Sequence, residues 1–368
     1  MKICIVSLGI VPYYRRDNSA PYGGAETQAA FVADAVAAAG NEVSLVVANL
    51  EPGRDLPHPA ENAFHSERGI PVLRFVHPRW TGIVNALERA DADLYYQRNA
   101  GMVTGVTGLF CRRRGKAFVY GTGSDTDLTF STARVDGIRD RSLFYLGLKM
   151  TSGIVAQNQR QEQLCRQHLG KPVKVIPNGV HVRGAGAAGA RDRLAWIGAI
   201  RRAKRPELFI DLARRMPSRQ FVLIGGKSAT EPGFAGRIAE SAASVPNLRW
   251  VGHVAPDEVH KWLERSVLLV NTSRVEGFPN AYLEAWSHGV PVVALADVDD
   301  IITGEDVGVV CGSIAEIEAA IGSITASASD LAAMGARARA LVDKRFSAEV
   351  LGRAYAAFFE RIVSGEDP

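Results

Sequence analysis

Cysteine is scarce, and the little there is forms no pattern. Four residues (Cys4, Cys111, Cys165, Cys311) are scattered over 368 positions with no Cys-x-x-Cys pair, which excludes a disulfide framework and a structural zinc site. The eight histidines also lack ligand spacing: His253 and His260 stand seven apart, with no acidic partner placed as in a metalloprotease. A catalytic metal held by side chains is therefore not expected. Long apolar runs are missing too, and nothing approaches the ~20 residues that cross a bilayer. The opening Met1–Ile10 segment holds only about six apolar residues before Pro12-Tyr13-Tyr14-Arg15-Arg16, with no small-residue cleavage pattern behind it. It reads as the first buried strand of a cytoplasmic protein. Charge imbalance is slight: 43 basic against 39 acidic residues give +4, too little to call for a nucleic-acid partner. Apart from one Gly/Ala-rich stretch, no low-complexity tract or internal repeat is present.

What remains is ordinary globular material, 47% hydrophobic and 22% charged, in a chain long enough for two α/β cores. One local charge run, Arg112-Arg113-Arg114-Gly115-Lys116, has two readings. It suits a solvated helix end, where cations complement the dipole. It also suits anionic headgroups or a phosphorylated acceptor, which would make the protein peripheral at the inner face of a membrane.

Short apolar, β-branched runs alternate with helical stretches along the first half. Ile3–Leu8, Val43–Ala48, Val72–Val76, Asp93–Gln97, Ala117–Tyr120 and Ile154–Gln157 read as strands, and residues 25–39 and 159–169 as helices. Strands that are apolar on both faces and separated by helices predict a parallel sheet covered on both sides. Residues 177–192 break the pattern with Pro-Asn-Gly-Val and a Gly/Ala-rich stretch over 183–189, a linker by composition. The alternation then restarts, with strands read at Leu194–Ile197, Phe221–Ile224, Leu248–Val251, Val267–Asn271, Val290–Leu295 and Val307–Cys311. Helices are read between them at 205–215, 234–243, 256–264 and 280–288, and two or three more from Ile314 to Ile362. The expected fold class is α/β: two doubly wound, Rossmann-like domains at 1–178 and 190–344, then a final helical segment at 345–368. Ligands of such sheets bind at the carboxyl ends of the strands.

The richest segment is Val270-Asn-Thr-Ser-Arg-Val-Glu276-Gly-Phe-Pro-Asn-Ala-Tyr-Leu-Glu284-Ala-Trp286. An apolar strand ends at Asn271, a polar loop follows, and Pro279 suits the first turn of a helix. Gly277 lets the backbone approach a ligand, and amides at a helix start favour phosphate. Glu276 in the loop and Glu284 on the helix are placed to hold different parts of a long polyhydroxylated ligand. Taken alone, they also fit an exposed loop glutamate and an ordinary helical one.

The Glu276-to-Glu284 spacing within Glu-Gly-Phe-Pro-Asn-Ala-Tyr-Leu-Glu-Ala resembles the paired-glutamate motif of glycosyltransferase family 4, retaining enzymes with the GT-B fold. The following Gly289-Val-Pro-Val-Val matches the family pattern too. The resemblance implies that Glu276 reaches the donor sugar and Glu284 the nucleotide ribose. It implies further that the backbone of Gly277, Phe278, Pro279 and Asn280 holds diphosphate and sugar.

Three other segments extend the resemblance. In Trp196-Ile-Gly198-Ala-Ile-Arg201-Arg202-Ala-Lys204-Arg205-Pro206, a strand end is followed by clustered cations, a plausible clamp for a leaving diphosphate. It resembles the family's Gly-Arg-x-x-x-x-Lys element with Lys204 as the lysine. Ala199 stands in the usual arginine position, so Arg201, or after it Arg202, is the candidate replacement. Tyr22-Gly23-Gly24-Ala25-Glu26 resembles the family's Gly-Gly loop, where main-chain amides approach donor phosphates. Gly252-His253-Val254 corresponds to a loop that meets the nucleotide base, and Lys227 after Gly225-Gly226 lies near phosphate or is simply exposed.

Many family members carry a histidine near residues 120–127; this sequence has none there. Asp125, with Asp127 second, is the candidate group near the acceptor hydroxyl, a role that competes evenly with turn formation or helix capping. Arg345-Phe346-Ser347 before the last helix resembles the family's carboxyl-terminal segment, whose helix returns to the first domain.

The resemblance implies a metal-independent, retaining hexosyltransferase with no cofactor beyond its co-substrate, a UDP- or GDP-linked sugar. The acceptor would be a glycan, a lipid-linked molecule or a small molecule, in polysaccharide, glycolipid or glycoconjugate biosynthesis. Two rivals are a phosphorylase or epimerase on the same scaffold, and a binding subunit without activity.

Overall fold

The computed structural model describes residues 1–16, 22–53, 55–65, 75–128, 135, 137–182, 190–228 and 231–366. They form two compact units: Met1–Gly179 together with Ala348–Pro368, and Val180–Ser347.

The first unit is built on seven parallel strands: β1 (Lys2–Val6), β2 (Glu42–Val47), β3 (Ala60–Asn62), β4 (Leu94–Arg98), β5 (Ala117–Gly121), β6 (Gly153–Ala156) and β7 (Val173–Val175). Their order across the sheet is β3-β2-β1-β4-β5-β6-β7. The central strands are largely apolar because both faces are covered, and Ile3, Ile5, Leu45, Leu94 and Val119 are buried. On one face the helix Gly24–Ala38 packs beside the last helix, Ala348–Ser364, and Phe31, Leu351, Tyr355, Phe358 and Phe359 share one core. On the other face the helices Met102–Arg114 and Ile138–Lys149 cross closely at glycines. A Cβ on Gly147 would lie 2.4 Å from the Thr104 carbonyl oxygen.

The second unit holds β8 (Arg193–Ile197), β9 (Gln220–Ile224), β10 (Leu248–Gly252), β11 (Ser266–Asn271), β12 (Val292–Ala294) and β13 (Gly308–Val310). All are parallel, in the order β10-β9-β8-β11-β12-β13. Strand order therefore reverses between β8 and β11, the switch point at which doubly wound sheets bind ligands.

Two readings from the sequence need amendment, and a third falls outside the described residues. Of the strand expected at 72–76, residues 72–74 lie outside the described residues. Phe75 and Val76 instead begin a wide helical turn, Phe75–Trp80, interrupted at His77. The Gly/Ala-rich stretch 183–189 also lies outside the described residues. Pro279 is not in the first turn of its helix: it caps it from outside in extended conformation, and the helix runs Asn280–Ser287. None of the described helices is long and apolar enough to cross a membrane.

Candidate active site

Two segments leave the adjacent strands β8 and β11 at the switch point, and strand order alone brings them together. After β8, Gly198 N–H donates to Ile224 O (3.0 Å) and Ile200 N–H to Gly226 O (3.1 Å). The chain then makes a tight turn, Arg202–Lys204, closed by Lys204 N–H on Arg201 O at 3.0 Å. Arg205 takes a left-handed conformation (φ 52°), and Pro206 starts the next helix. This turn aims Lys204 at the loop after β11. The Lys204 ammonium donates to both carboxylate oxygens of Glu276, at 2.5 and 2.6 Å. Glu276 is almost withdrawn from water, its side chain 7% exposed against 31% for Lys204. Asn271 Nδ2 adds a third donor to Glu276, at 3.3 Å.

Glu284 lies on the helix Asn280–Ser287, with part of its surface in solvent. Among the described residues no group donates a hydrogen bond to its carboxylate and no cation pairs with it. Burial pushes its pKa up from 4.5 to about 7. The two glutamates are thus opposite cases. Glu276 is neutralised by a lysine, whereas Glu284 is desolvated and uncompensated.

The neighbouring cations divide in the same way. Arg202 is engaged: its N–H donates to Glu231 at 3.1 Å and its guanidinium lies over the Phe234 ring, 5.1 Å from the centroid. Arg201 makes no ion pair among the described residues, and its buried Nε has no hydrogen-bond acceptor. Further along the sheet edge, Gly225 N–H donates to Gly252 O at 2.8 Å, and Trp250 Nε1 donates to Gly225 O at 2.9 Å. Gly225 is needed there because a Cβ would come within 1.8 Å of Gly198 O. Gly252 itself has φ +76°. Burial lowers the His253 pKa, and Val254 packs at the edge of the core. Phe278 is a packing residue, its ring tilted against that of Phe346 with centroids 5.3 Å apart.

In the first unit, Gly23 caps the helix Gly24–Ala38, and its N–H is taken by Glu26 Oε2 at 2.8 Å. Gly23 and Gly24 are both exposed. Asp125 is tied to the helix Gln159–Leu169: Gln161 Nε2 donates to one oxygen at 3.0 Å and Arg160 pairs with the other at 3.0 Å. Asp127 is buried and staples its own loop, accepting from Gly123 N–H (2.8 Å) and Ser124 N–H (2.9 Å). Burial raises its pKa even so, with those hydrogen bonds opposing the shift.

The family profile described as Glycosyl transferases group 1 matches residues 191–327, and that of Glycosyltransferase Family 4 matches 22–183. The chain belongs to glycosyltransferase family 4. No curated protein matches the sequence. Solved structures share the fold at low identity. A sucrose-phosphate synthase from Thermosynechococcus elongatus superposes with TM-score 0.78 at 18% identity, covering 100% of both chains. Anabaena HepE in complex with UDP and glucose gives 0.73 at 16%, covering 98% of this chain and 99% of that one. WaaG, a glycosyltransferase involved in lipopolysaccharide biosynthesis, gives 0.68 at 15%, covering 99% and 100%.

In this family 4 glycosyltransferase of GT-B type, Lys204 and Glu276 are in direct contact where β8 and β11 lie side by side. Sequence reading missed the residues beneath them. Asn271 holds Glu276. Thr272 accepts from the Trp196 indole N–H at 2.9 Å and lies 2.8 Å from the carbonyl oxygens of Lys204 and Arg205. The signal available was the polar Asn-Thr-Ser run closing an otherwise apolar strand. Among the described residues, no group of three or more His, Cys, Asp or Glu could hold a metal ion.

Proposed function

We propose that this glycosyltransferase moves a hexosyl unit from a nucleoside diphosphate sugar to an acceptor hydroxyl, with retention of configuration and without a metal ion. The Lys204–Glu276 contact at the switch point carries the reading. It puts a cation suited to a phosphate beside a carboxylate suited to sugar hydroxyls. Lys204 and Arg201 would neutralise charge developing on the leaving diphosphate, Glu276 would orient the sugar, and Glu284 would accept from the ribose hydroxyls. The acceptor hydroxyl attacks the anomeric carbon on the face from which the nucleotide leaves. The bond to the diphosphate breaks as the new glycosidic bond forms, and the departing phosphate oxygen takes the hydroxyl proton. No side-chain base is then required, which fits the engagement of Asp125 by Gln161 and Arg160.

UDP is the first nucleotide to test, since HepE was solved with it, and GDP the second. The cytoplasm is the proposed site of the reaction. A glycan or lipid-linked acceptor is the expected class, with the exposed Arg112 and Arg113 as the candidate contact for an anionic membrane surface. Lys204→Ala and Glu276→Ala, each verified as folded, should lower transfer by about 100-fold or more, the scale of losing one electrostatic contact to the transition state. Full activity in both variants would remove the proposal's basis.

A further inference from the structure

We propose that Thr272 and Asn271 are positioning residues that set the donor-binding cation and the sugar-binding carboxylate in register. The inference rests on the donor roles given above to Lys204 and Glu276.

Successive residues of a strand point to opposite sides, so the end of β11 can serve two neighbours at once. Thr272 turns toward the cationic segment. Its hydroxyl is fully buried, accepts from the Trp196 indole N–H at 2.9 Å, and has one proton to share between Lys204 O and Arg205 O, both at 2.8 Å. That proton matters because the turn ends awkwardly. Arg205 is a non-glycine residue in the left-handed region (φ 52°), and the next residue, Pro206, has no N–H. The chain Trp196–Thr272–Lys204 therefore ties the backbone that carries Lys204 to the two central strands. Valine has nearly the same shape, but it would leave an indole N–H and two carbonyls short of partners in a buried place.

Asn271 turns toward the carboxylate. Ser273 N–H donates to its Oδ1 at 2.8 Å, which fixes the amide orientation and leaves Nδ2 to face Glu276 Oε1 at 3.3 Å. At 6% exposure the Asn271 side chain has little freedom to turn away. One strand end thus fixes the backbone of the cation and the orientation of the carboxylate, through different atoms.

The test is calorimetric titration of the full chain with UDP and with UDP-glucose, or with GDP and GDP-mannose should the wild type prefer guanosine. Nucleotide affinity reports on Lys204, and the gain from nucleotide to nucleotide sugar reports on Glu276. Thr272→Val should weaken both ligands by about tenfold, with Thr272→Ser within about threefold of wild type. Asn271→Ala should leave nucleotide affinity within about twofold and remove most of the gain due to the sugar. A merely structural role would lower melting temperature without this split. Should Thr272→Val not fold, Trp196→Phe, which removes the indole donor together with part of a buried ring, should in its folded form weaken UDP by about threefold. If Lys204→Ala and Glu276→Ala bind both ligands like wild type, the donor reading itself fails. If Lys204→Ala loses nucleotide affinity and Glu276→Ala loses the gain due to the sugar while the folded variants of Thr272, Trp196 and Asn271 keep both unchanged, the positioning role is overturned.

Discussion

Lys204 spends its charge on Glu276, and a phosphate that takes the ammonium has to displace a carboxylate already bonded to it through both oxygens. Glu276→Gln removes that competitor while keeping the shape. It should tighten free UDP by about three- to tenfold, as expected when a charge-assisted hydrogen bond is weakened, while transfer falls by about 100-fold. Titration calorimetry beside an activity assay reads both, and weaker UDP binding would contradict the competition. Glu284 makes a pH prediction. Its folded pKa of about 7 stands above the unfolded value of 4.5, so between these limits the folded chain binds more protons. The stability this group contributes is therefore present below about pH 4.5 and lost as pH rises through about 7. Melting temperature should fall from pH 5 to pH 8, and Glu284→Gln should flatten that part of the slope. Nucleotide affinity should run the other way, because the ionised carboxylate is the stronger acceptor for ribose hydroxyls.

At the scale of elements, glycines decide where helices meet. Gly147 lies inside the helix Ile138–Lys149, where alanine normally gains about 1 kcal/mol. Here its Cβ would meet the Thr104 carbonyl oxygen at 2.4 Å, so the sign reverses. Gly147→Ala should cost about 1–3 kcal/mol. Gly322→Ala, in a helix with nothing within 4 Å of the new methyl group, should be neutral or stabilising. Denaturant midpoints of the two variants moving together would contradict this.

The sheets were legible for a related reason: strands buried on both faces are continuously apolar, so β1, β2, β4 and most of β8–β11 stand out as runs. The edge strands β3 (Ala60–Asn62) and β7 (Val173–Val175) carry Glu61, Asn62 and Lys174 and form no apolar run, unlike the equally short β12 and β13. In the site, Glu276 and Glu284 were readable because one short segment carries both. The Lys204–Glu276 contact was not, because it comes from β8 lying beside β11, an adjacency encoded in no local spacing. Nor could spacing alone separate Asp125 from Asp127. They sit two apart on one turn, and only burial shows that Asp127 staples the loop while Asp125 is pinned from the next helix.

For the whole molecule, the division of labour follows the two units. Every candidate donor residue except Gly23 and Gly24 falls within Val180–Ser347, while Asp125 falls in the other unit, which the last helix completes by burying Leu351, Tyr355 and Phe359. An excised 180–347 fragment should keep UDP affinity within about tenfold and show no transfer, since the entropic and contact terms of nucleotide binding stay with it. A folded fragment with no affinity would mean that the first unit supplies essential nucleotide contacts. The most direct test of the central claim is to titrate the intact protein with UDP-glucose and GDP-mannose in the presence of EDTA, beside Lys204→Ala and Glu276→Ala. The predicted result is saturable binding of one donor by the wild type without divalent metal, weakened by about tenfold or more in Lys204→Ala and by a smaller factor in Glu276→Ala, where the freed lysine partly offsets the lost sugar contact. Binding that appears only when magnesium or manganese is restored, or that both variants retain undiminished, would contradict the account.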